Sequence, residues 1–330
     1  LAYGWTFAKE PLAGVTPIES MLKIARRPLE KKLAGNFSNR LAGGLVPLES
    51  PLLVSGATKN TINNIQKFFS ECGSFNVQST GIAAQGIKQD GINKFEPGSA
   101  IGAQLIKGDM SIAAIGTVTW VKENEVLAFG HPFYNIGETQ IPMTTAHIAS
   151  VIGSEYISFK LGFPIEEAGT LLQDRGCGIY GKTDKISEMI PLSVKISNRV
   201  TKESKIFEVK VLNHIFFTPR LCGIAIYNFL DSQEATIDEN TTYFNSKIFL
   251  NGVKEPVSWS EVYTHPYIIA GNFIEPMGYL VKNPFEFPKI SKMEVEIEVE
   301  RSYKEDQISS IIVLSSEVQC GEPLDIEAQI

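Results

Sequence analysis

The chain has 330 residues, of which 43% are hydrophobic and 20% are charged, as is typical of a globular protein with a sizeable core and two or three domains. The formal net charge of -7 argues against nucleic acid as the main partner, because phosphate binding requires clustered Lys and Arg. No uninterrupted apolar segment approaches the roughly 18 residues that a bilayer-spanning helix needs, so no membrane span is expected.

The first 95 residues have the pattern of strands alternating with helices. LAYGWTF has strand character, and a helix is predicted to begin near Pro17 with Thr16 as its N-cap. After a polar, Gly-containing linker, VPLESPLLVSG predicts a strand and ATKNTINNIQKFFSEC an amphipathic helix ended by Gly73. We divide this part into a strand and helix over residues 1–39 and a small α/β region over residues 40–95.

The middle of the chain is dominated by strand patterns. Between about residues 98 and 197 the predicted strands are SAIGAQLI, SIAAIGTVTWV, EVLAF, YISFKLG and IPLSVKIS, and TTAHIASVIG is assigned to a short helix. From residue 203 to 283 the strands KIFEVKVL and KIFLNGV flank a helix, PRLCGIAIYNFLDS. Residues 96–287 are taken as one domain part.

The C-terminal region begins a new run of strands. In MEVEIEVE the apolar residues alternate strictly with Glu, which is the period of a half-exposed antiparallel strand. Val295 and Ile297 should point inward, and Glu296 and Glu298 outward. We expect residues 288–330 to form an antiparallel unit separate from the rest, resembling the start of a β-sandwich.

One histidine has an unusual local setting. In VLAFGHPFYN a short apolar run, suited to a buried strand, ends at His131 between Gly130 and Pro132. Glycine leaves room beside the imidazole, and proline favours an extended conformation in the residue before it. A general base needs such a rigid placement at the rim of a sheet. From these residues alone, an ordinary surface loop remains the competing interpretation.

Most other chemical motifs are missing from the sequence. The histidines have no metal-ligand spacing, and no Cys-x-x-Cys pair is formed by the four cysteines, Cys72, Cys177, Cys222 and Cys320. An even number of cysteines permits disulfides without showing them. GSAIGA lacks the helix and the acidic residue of a dinucleotide site, and neither a P-loop nor a Gly-x-Ser-x-Gly elbow occurs. No metal and no cofactor are expected.

An ordered set of motifs between about Glu96 and Gly181 resembles the peptidase domain of the stage IV sporulation protein B (SpoIVB) family. The set comprises Pro-Gly-Ser-Ala, Gly-Asp-Met, Ala-Phe-Gly-His-Pro-Phe, Pro-Met-Thr-Thr, and Gln-Asp-Arg before Gly-Ile-Tyr-Gly. The resemblance implies a mainly β serine endopeptidase with a trypsin-like arrangement of β-barrels. It implies that His131 is the general base that takes the proton from a serine hydroxyl.

The resemblance places the nucleophile outside residues 1–330. The family's serine lies in a Gly-Met-Ser-Gly-Ser-Pro motif, which does not occur in residues 1–330. LAYGWTFAKEPLAGVTPIESML resembles the segment that follows this motif, so the serine is expected just upstream of Leu1. The serine would then precede the histidine, reversing the order of the sporulation protein, and catalytic triads keep their geometry when chain order changes. This chain alone is therefore expected to be inactive. His131 should nevertheless lie at a strand end, partly exposed and facing a gap or groove near LAYGWTF.

The acidic member of the triad has two interpretations. The family's acid lies shortly before its serine, which places it outside this sequence too. Asp174 in LLQDRGCGIYG is a candidate substitute, and the favoured alternative is a structural carboxylate paired with Arg175 or with nearby backbone N–H groups. Asp109 is expected to cap a hairpin turn.

The sequence supports two functional hypotheses. The first is the histidine-bearing part of a SpoIVB-type serine endopeptidase, acting on polypeptides without a cofactor and, by resemblance, outside the cytoplasm in a bacterial envelope. The second is a non-catalytic, β-rich interaction module of the cell envelope, because a fold alone does not establish a function.

Overall fold

The structure is a computed structural model, and its elements are mainly strands. It describes residues 3–5, 13–26, 45–47, 50–71, 77–81, 94–153, 158–233, 240–302, 306, 308–314 and 317–330. The helices are α1 Ile18–Arg26, α2 Lys59–Glu71, α3 Thr218–Ser232 and α4 Ile269–Val281, the last preceded by a 3₁₀ turn at Pro266–Ile268. The first nine strands are β1 Tyr3–Trp5, β2 Ala13–Gly14, β3 Leu45–Pro47, β4 Leu52–Ser55, β5 Val77–Ser79, β6 Ala100–Gly108, β7 Ser111–Lys122, β8 Glu125–Ala128 and β9 Gly137–Ile152. The other nine are β10 Phe159–Arg175, β11 Gly178–Lys182, β12 Met189–Asn198, β13 Ser204–Leu212, β14 Thr241–Leu250, β15 Val257–Tyr263, β16 Ile290–Glu300, β17 Ser310–Val313 and β18 Ile326–Gln329.

Most of the local predictions are confirmed, with one clear error. Helices α1, α2 and α3 lie where the sequence predicted them, and the five predicted strands of the central region become β6, β7, β8, β10 and β12. The short helix assigned to TTAHIASVIG is wrong, because these residues belong to β9. Thr145 in this segment pairs with Ile101 of β6, and β10 pairs along the other edge. Two partner strands and a β-branched sequence outweigh the local helical pattern.

Six antiparallel strands close into a barrel. Strand β6 pairs with β7, β7 with β8, β8 with β11, β11 with β10, β10 with β9, and β9 again with β6. Closure of the ring leaves none of the six strands as a free edge. Buried apolar side chains from every one of the six strands join the same core, among them Leu105, Val118, Ala128, Met143 and Leu171.

The sheet continues from the barrel into a second, layered region. The far end of β6 pairs with β13, and the sheet then runs through β12, β16 and β14 to β15. Helix α3 packs on this region; eleven of its fifteen residues are buried, and the ring of Phe229 stacks on Phe207 at 4.4 Å. At the opposite end of the sheet β7 pairs with β4, which pairs in parallel with β5. With α2 between them in sequence, β4 and β5 form a parallel β-α-β unit within residues 52–79.

The C-terminal region differs from its prediction in one respect. The alternation in β16 is confirmed, since Val295 and Ile297 are buried while Glu296 and Glu298 are exposed. The expected separation from the rest is wrong for this strand, because β16 pairs in parallel with β12 and antiparallel with β14 inside the large sheet. A periodic pattern shows which face is buried but does not identify the neighbouring strands. Strands β17 and β18 form a separate two-stranded hairpin.

In the part of the chain that the structure describes, no helix is both long enough and apolar enough to cross a bilayer.

Candidate active site

The site begins with a strained turn at the end of β8. The N–H of Gly130 donates to the carbonyl of Ala128 at 2.9 Å, and the central residue, Phe129, has φ +70°. This combination of bond and positive φ defines a γ-turn of the rare, strained type. The N–H of Phe129 also donates to Thr117 O on β7 at 3.0 Å. The chain therefore leaves the barrel through a strained but well-held turn, immediately before His131, and such strain is concentrated at functional sites.

The aromatic ring of Phe129 is held in a space that one glycine provides. Gly116 on β7 faces this ring so closely that a Cβ atom there would overlap it. The Phe129 ring centroid lies 5.6 Å from that of His131 and 6.4 Å from that of Phe133. The imidazole is thus packed beside an aromatic group whose own position is determined by the barrel.

The ring of His131 is oriented by a backbone carbonyl. Its Nδ1 lies 2.8 Å from Pro132 O. A carbonyl oxygen can only accept, so Nδ1 carries the proton and donates, which leaves the lone pair of the neutral ring on Nε2. Burial lowers the pKa of His131 below 6.5. A neutral imidazole with a free Nε2 lone pair is the form that a general base requires.

The expected exposure of His131 is wrong. We expected a partly exposed ring facing a groove near LAYGWTF, but His131 is buried, with 8% of its surface accessible. Its position just beyond a strand end is confirmed, because β8 ends at Ala128.

The N-terminal segment lies against the same loop. The hydroxyl of Thr16 donates to the carbonyl of Gly130, next to the histidine. The thiol of Cys177, after β10, donates to Ser20 O at 3.3 Å, and α1 packs against β11. Thr16 was expected to be the N-cap of α1, but its hydroxyl donates to the histidine loop instead. This hydrogen bond connects the segment before α1 to the site.

Asp174 lies at the centre of the loop that follows the histidine. Its Oδ1 accepts the N–H of Phe133 at 2.7 Å, and its Oδ2 accepts those of Tyr134 at 2.5 Å and Ile136 at 3.3 Å. The side chain is fully buried, and this burial raises its pKa to about 6 against the opposing effect of the backbone N–H groups. The predicted interaction with nearby backbone N–H groups is the one the structure shows, and neither oxygen is hydrogen-bonded to His131.

The other histidines and Asp109 are held by other elements of the fold. His147 is on β9 against Phe163, His214 precedes α3, and His265 precedes the 3₁₀ turn. The carboxylate of Asp109 accepts the N–H of Glu208 at 2.7 Å, so it holds the β6–β7 turn against β13.

Within the described ranges, no serine hydroxyl is hydrogen-bonded to the ring of His131. The same residues contain no group of three or more His, Cys, Asp and Glu side chains placed to bind a metal ion. Cys177, Cys222 and Cys320 are free thiols, and Cys72 lies outside the described residues.

Sequence reasoning missed three contributors to the site. These are Gly116, the positive φ of Phe129 and the hydroxyl of Thr16, and each acts on residues distant in sequence or through backbone geometry. Thr16 was singled out only as a helix cap, and nothing in the local pattern marks Phe129 as a turn residue. The Gly130–Pro132 context of His131 was the detectable signal.

Comparison with known proteins adds little. No protein-family model matches the chain, and no curated protein matches it. A solved structure of a superantigen-like protein from Staphylococcus aureus, in complex with 3-N-acetylneuraminyl-N-acetyllactosamine, is 10% identical and covers 61% of this chain and 93% of that one. The TM-score is 0.22, so this likeness carries no argument about fold or function.

Proposed function

We propose that this chain is the histidine-bearing part of a serine endopeptidase of the SpoIVB type, with His131 as general base. The observation that carries the proposal is the Nδ1 contact of His131 to Pro132 O at 2.8 Å, which leaves Nε2 as the acceptor for a hydroxyl proton. The nucleophile would be a serine upstream of residue 1, and the substrate a polypeptide. No cofactor is part of the proposed reaction, since serine, base and oxyanion hole suffice for acyl transfer.

The barrel supports the proposal at the level of architecture. A closed antiparallel barrel is the unit on which a trypsin-like arrangement is built, and here six strands form one. In the proposed peptidase His131 lies on the loop between β8 and β9, and a second structural unit would have to present the serine to it.

The hydrogen bond of Thr16 to the histidine loop supports the proposal that the segment before Leu1 supplies the nucleophile. Thr16 binds the carbonyl adjacent to His131, so the segment that follows the proposed serine motif reaches the histidine loop. A serine upstream of Leu1 would then be delivered by a segment already anchored at the site. By the same resemblance, the proposed location is outside the cytoplasm, in a bacterial envelope.

The test is a peptidase assay on the chain extended upstream to include the serine motif. The extended protein should hydrolyse polypeptides and be inhibited by serine-directed reagents, whereas residues 1–330 alone should be inactive. His131→Ala should lower kcat by several orders of magnitude, because the members of a triad act as a unit.

The matched control is His147→Ala, which removes an imidazole that packs on Phe163 in β10 and should leave kcat largely unchanged. Full activity in the His131→Ala protein would refute the proposal. Absence of a Gly-x-Ser-Gly motif upstream would instead support the non-catalytic interaction module.

A further inference from the structure

The orienting group of His131 is identified by the contacts of the loop between β8 and β9. In a Ser-His-Asp triad a carboxylate binds Nδ1 and holds the imidazole in the correct tautomer. Here the group on Nδ1 is the carbonyl of Pro132, at 2.8 Å. A carbonyl enforces the same tautomer as a carboxylate does, because both only accept hydrogen bonds.

Building on the proposed peptidase function, we infer that the Pro132 carbonyl takes the place of the triad acid. We infer further that Asp174 is a positioning residue, which keeps that carbonyl in place through the backbone of residues 133–136. Asp174 itself does not touch His131. The catalytic set in this chain is therefore His131 with a backbone carbonyl, supported by a buried carboxylate one layer further from the substrate.

The carboxylate of Asp174 is occupied by the loop. One oxygen binds the N–H of Phe133, the residue whose peptide bond contains the Pro132 carbonyl, and the other binds the N–H groups of Tyr134 and Ile136. The Phe133 N–H and the Pro132 carbonyl belong to one planar peptide unit. The 2.7 Å hydrogen bond from the Phe133 N–H to Asp174 therefore also fixes the direction of the Pro132 carbonyl, which accepts the hydrogen bond from Nδ1.

The barrel in turn fixes Asp174. It lies on β10, where it pairs with Gly137 of β9 on one side and Ile179 of β11 on the other. It is 1% exposed, so bulk water does not compete for its oxygens. Strand β10 thus holds the Asp174 carboxylate, the carboxylate holds the Pro132–Phe133 peptide unit, and this peptide unit orients the imidazole of His131.

This arrangement predicts that Asp174 acts through geometry. Asp174→Asn keeps one acceptor oxygen but turns an NH₂ group towards a backbone N–H, so the 133–136 loop loses part of its support. The Pro132 carbonyl should then move relative to Nδ1. A displacement of about 1 Å at a catalytic group lowers the rate by up to about a hundredfold.

The first experiment is ¹⁵N NMR of the imidazoles in residues 1–330, at a pH well above the ordinary histidine pKa. His131→Ala assigns the signal. We expect the Nδ1–H tautomer in the wild type, and a mixture of tautomers in Asp174→Asn. Asp109→Asn is the matched control, because Asp109 also accepts a backbone N–H but lies at the β6–β7 turn; it should leave the His131 signal unchanged.

The second experiment uses the extended, active protein. Asp174→Asn should lower kcat by about ten- to a hundredfold with KM nearly constant, since the change displaces a catalytic group and leaves substrate contacts in place. Asp109→Asn should change neither constant.

The outcomes separate this inference from the proposed function. An Nε2–H tautomer in wild-type residues 1–330 would overturn the inference, whether or not the Asp174→Asn variant folds. A kcat equal to wild type in a folded Asp174→Asn protein would also overturn the positioning role. Absence of peptidase activity in the extended wild type refutes the peptidase proposal, and with it the catalytic role of the Pro132 carbonyl. The positioning of His131 by that carbonyl and by Asp174 is still tested, because the tautomer measurement does not depend on catalysis.

Discussion

Gly116 and Phe129 are complementary in shape: the ring of Phe129 occupies the space that a side chain at position 116 would need. The ring belongs to the central residue of the γ-turn before His131, at φ +70°. Gly116 is on β7 and Phe129 follows β8, so neighbouring strands of the barrel hold the turn together. The geometry of the histidine loop therefore depends on a residue of β7, outside that loop.

Gly116→Ala should destabilise the protein and displace the histidine. The added methyl group overlaps the Phe129 ring, and overpacking of this kind lowers the free energy of unfolding by about 1–3 kcal/mol. Urea unfolding measures the loss. Gly271→Ala in α4 is the matched control, because a Cβ there meets nothing within 4 Å, and it should be neutral or slightly stabilising. Equal stability of the two variants would contradict the packing described for Phe129.

His214 should make the protein less stable in acid. Its Nδ1 accepts the N–H of Phe216 at 3.2 Å, and burial lowers its pKa to about 4. The folded state thus resists protonation while the unfolded chain accepts a proton near pH 6.5. The free energy of unfolding should therefore fall as the pH decreases from 6.5 to about 4, and the total loss due to His214 is roughly 3 kcal/mol.

Urea unfolding across that range checks the prediction for His214. The control is a comparison of wild type with His214→Asn. Both proteins contain Asp174, whose raised pKa changes the free energy of unfolding in the opposite direction, so its contribution cancels in the difference. The variant keeps an acceptor but has no titrating group there, so the difference between the two curves should shrink as the pH falls. Parallel curves would contradict the prediction.

If the proposed peptidase activity is found in the extended protein, its pH profile should reflect the buried His131. Burial lowers the pKa of this imidazole below 6.5, while the Pro132 carbonyl opposes the shift. The base loses activity when it is protonated, so the acidic limb of kcat/KM should have its midpoint below pH 6.5. NMR titration of the His131 ring gives the same quantity directly. A midpoint above pH 6.5 would show that the ring is more hydrated, or closer to a negative charge, than the structure indicates.

Strand β16 should contribute to the stability of the whole sheet. Ile297 is fully buried between β12 and β14, and Ile297→Ala should lower the free energy of unfolding by about 2–5 kcal/mol. Ile312→Ala on the β17–β18 hairpin is the matched control; that side chain is 53% exposed, and its loss should change stability by less than about 0.5 kcal/mol. A separate unfolding transition affected only by Ile297→Ala would instead support an independent C-terminal unit.

Local sequence was sufficient to predict the elements that bury one face and expose the other. The alternation of Val295 and Ile297 with glutamates reflects a strand with one buried face, and the helical period in α1 and α2 reflects an amphipathic surface. The position of His131 just after a buried strand also follows from local signals, because glycine and proline constrain the backbone directly. These features depend on interactions within a few residues.

Tertiary structure decided everything that depends on partners distant in the chain. TTAHIASVIG became part of a strand because β6 and β10 lie on its two edges, and β16 entered the large sheet through β12 and β14. The role of Asp174 was decided in the same way, because its acceptors are filled by N–H groups about forty residues earlier in the chain. Chain closure into a barrel brings these residues together, and a linear pattern does not record which distant backbone groups a buried carboxylate will bind.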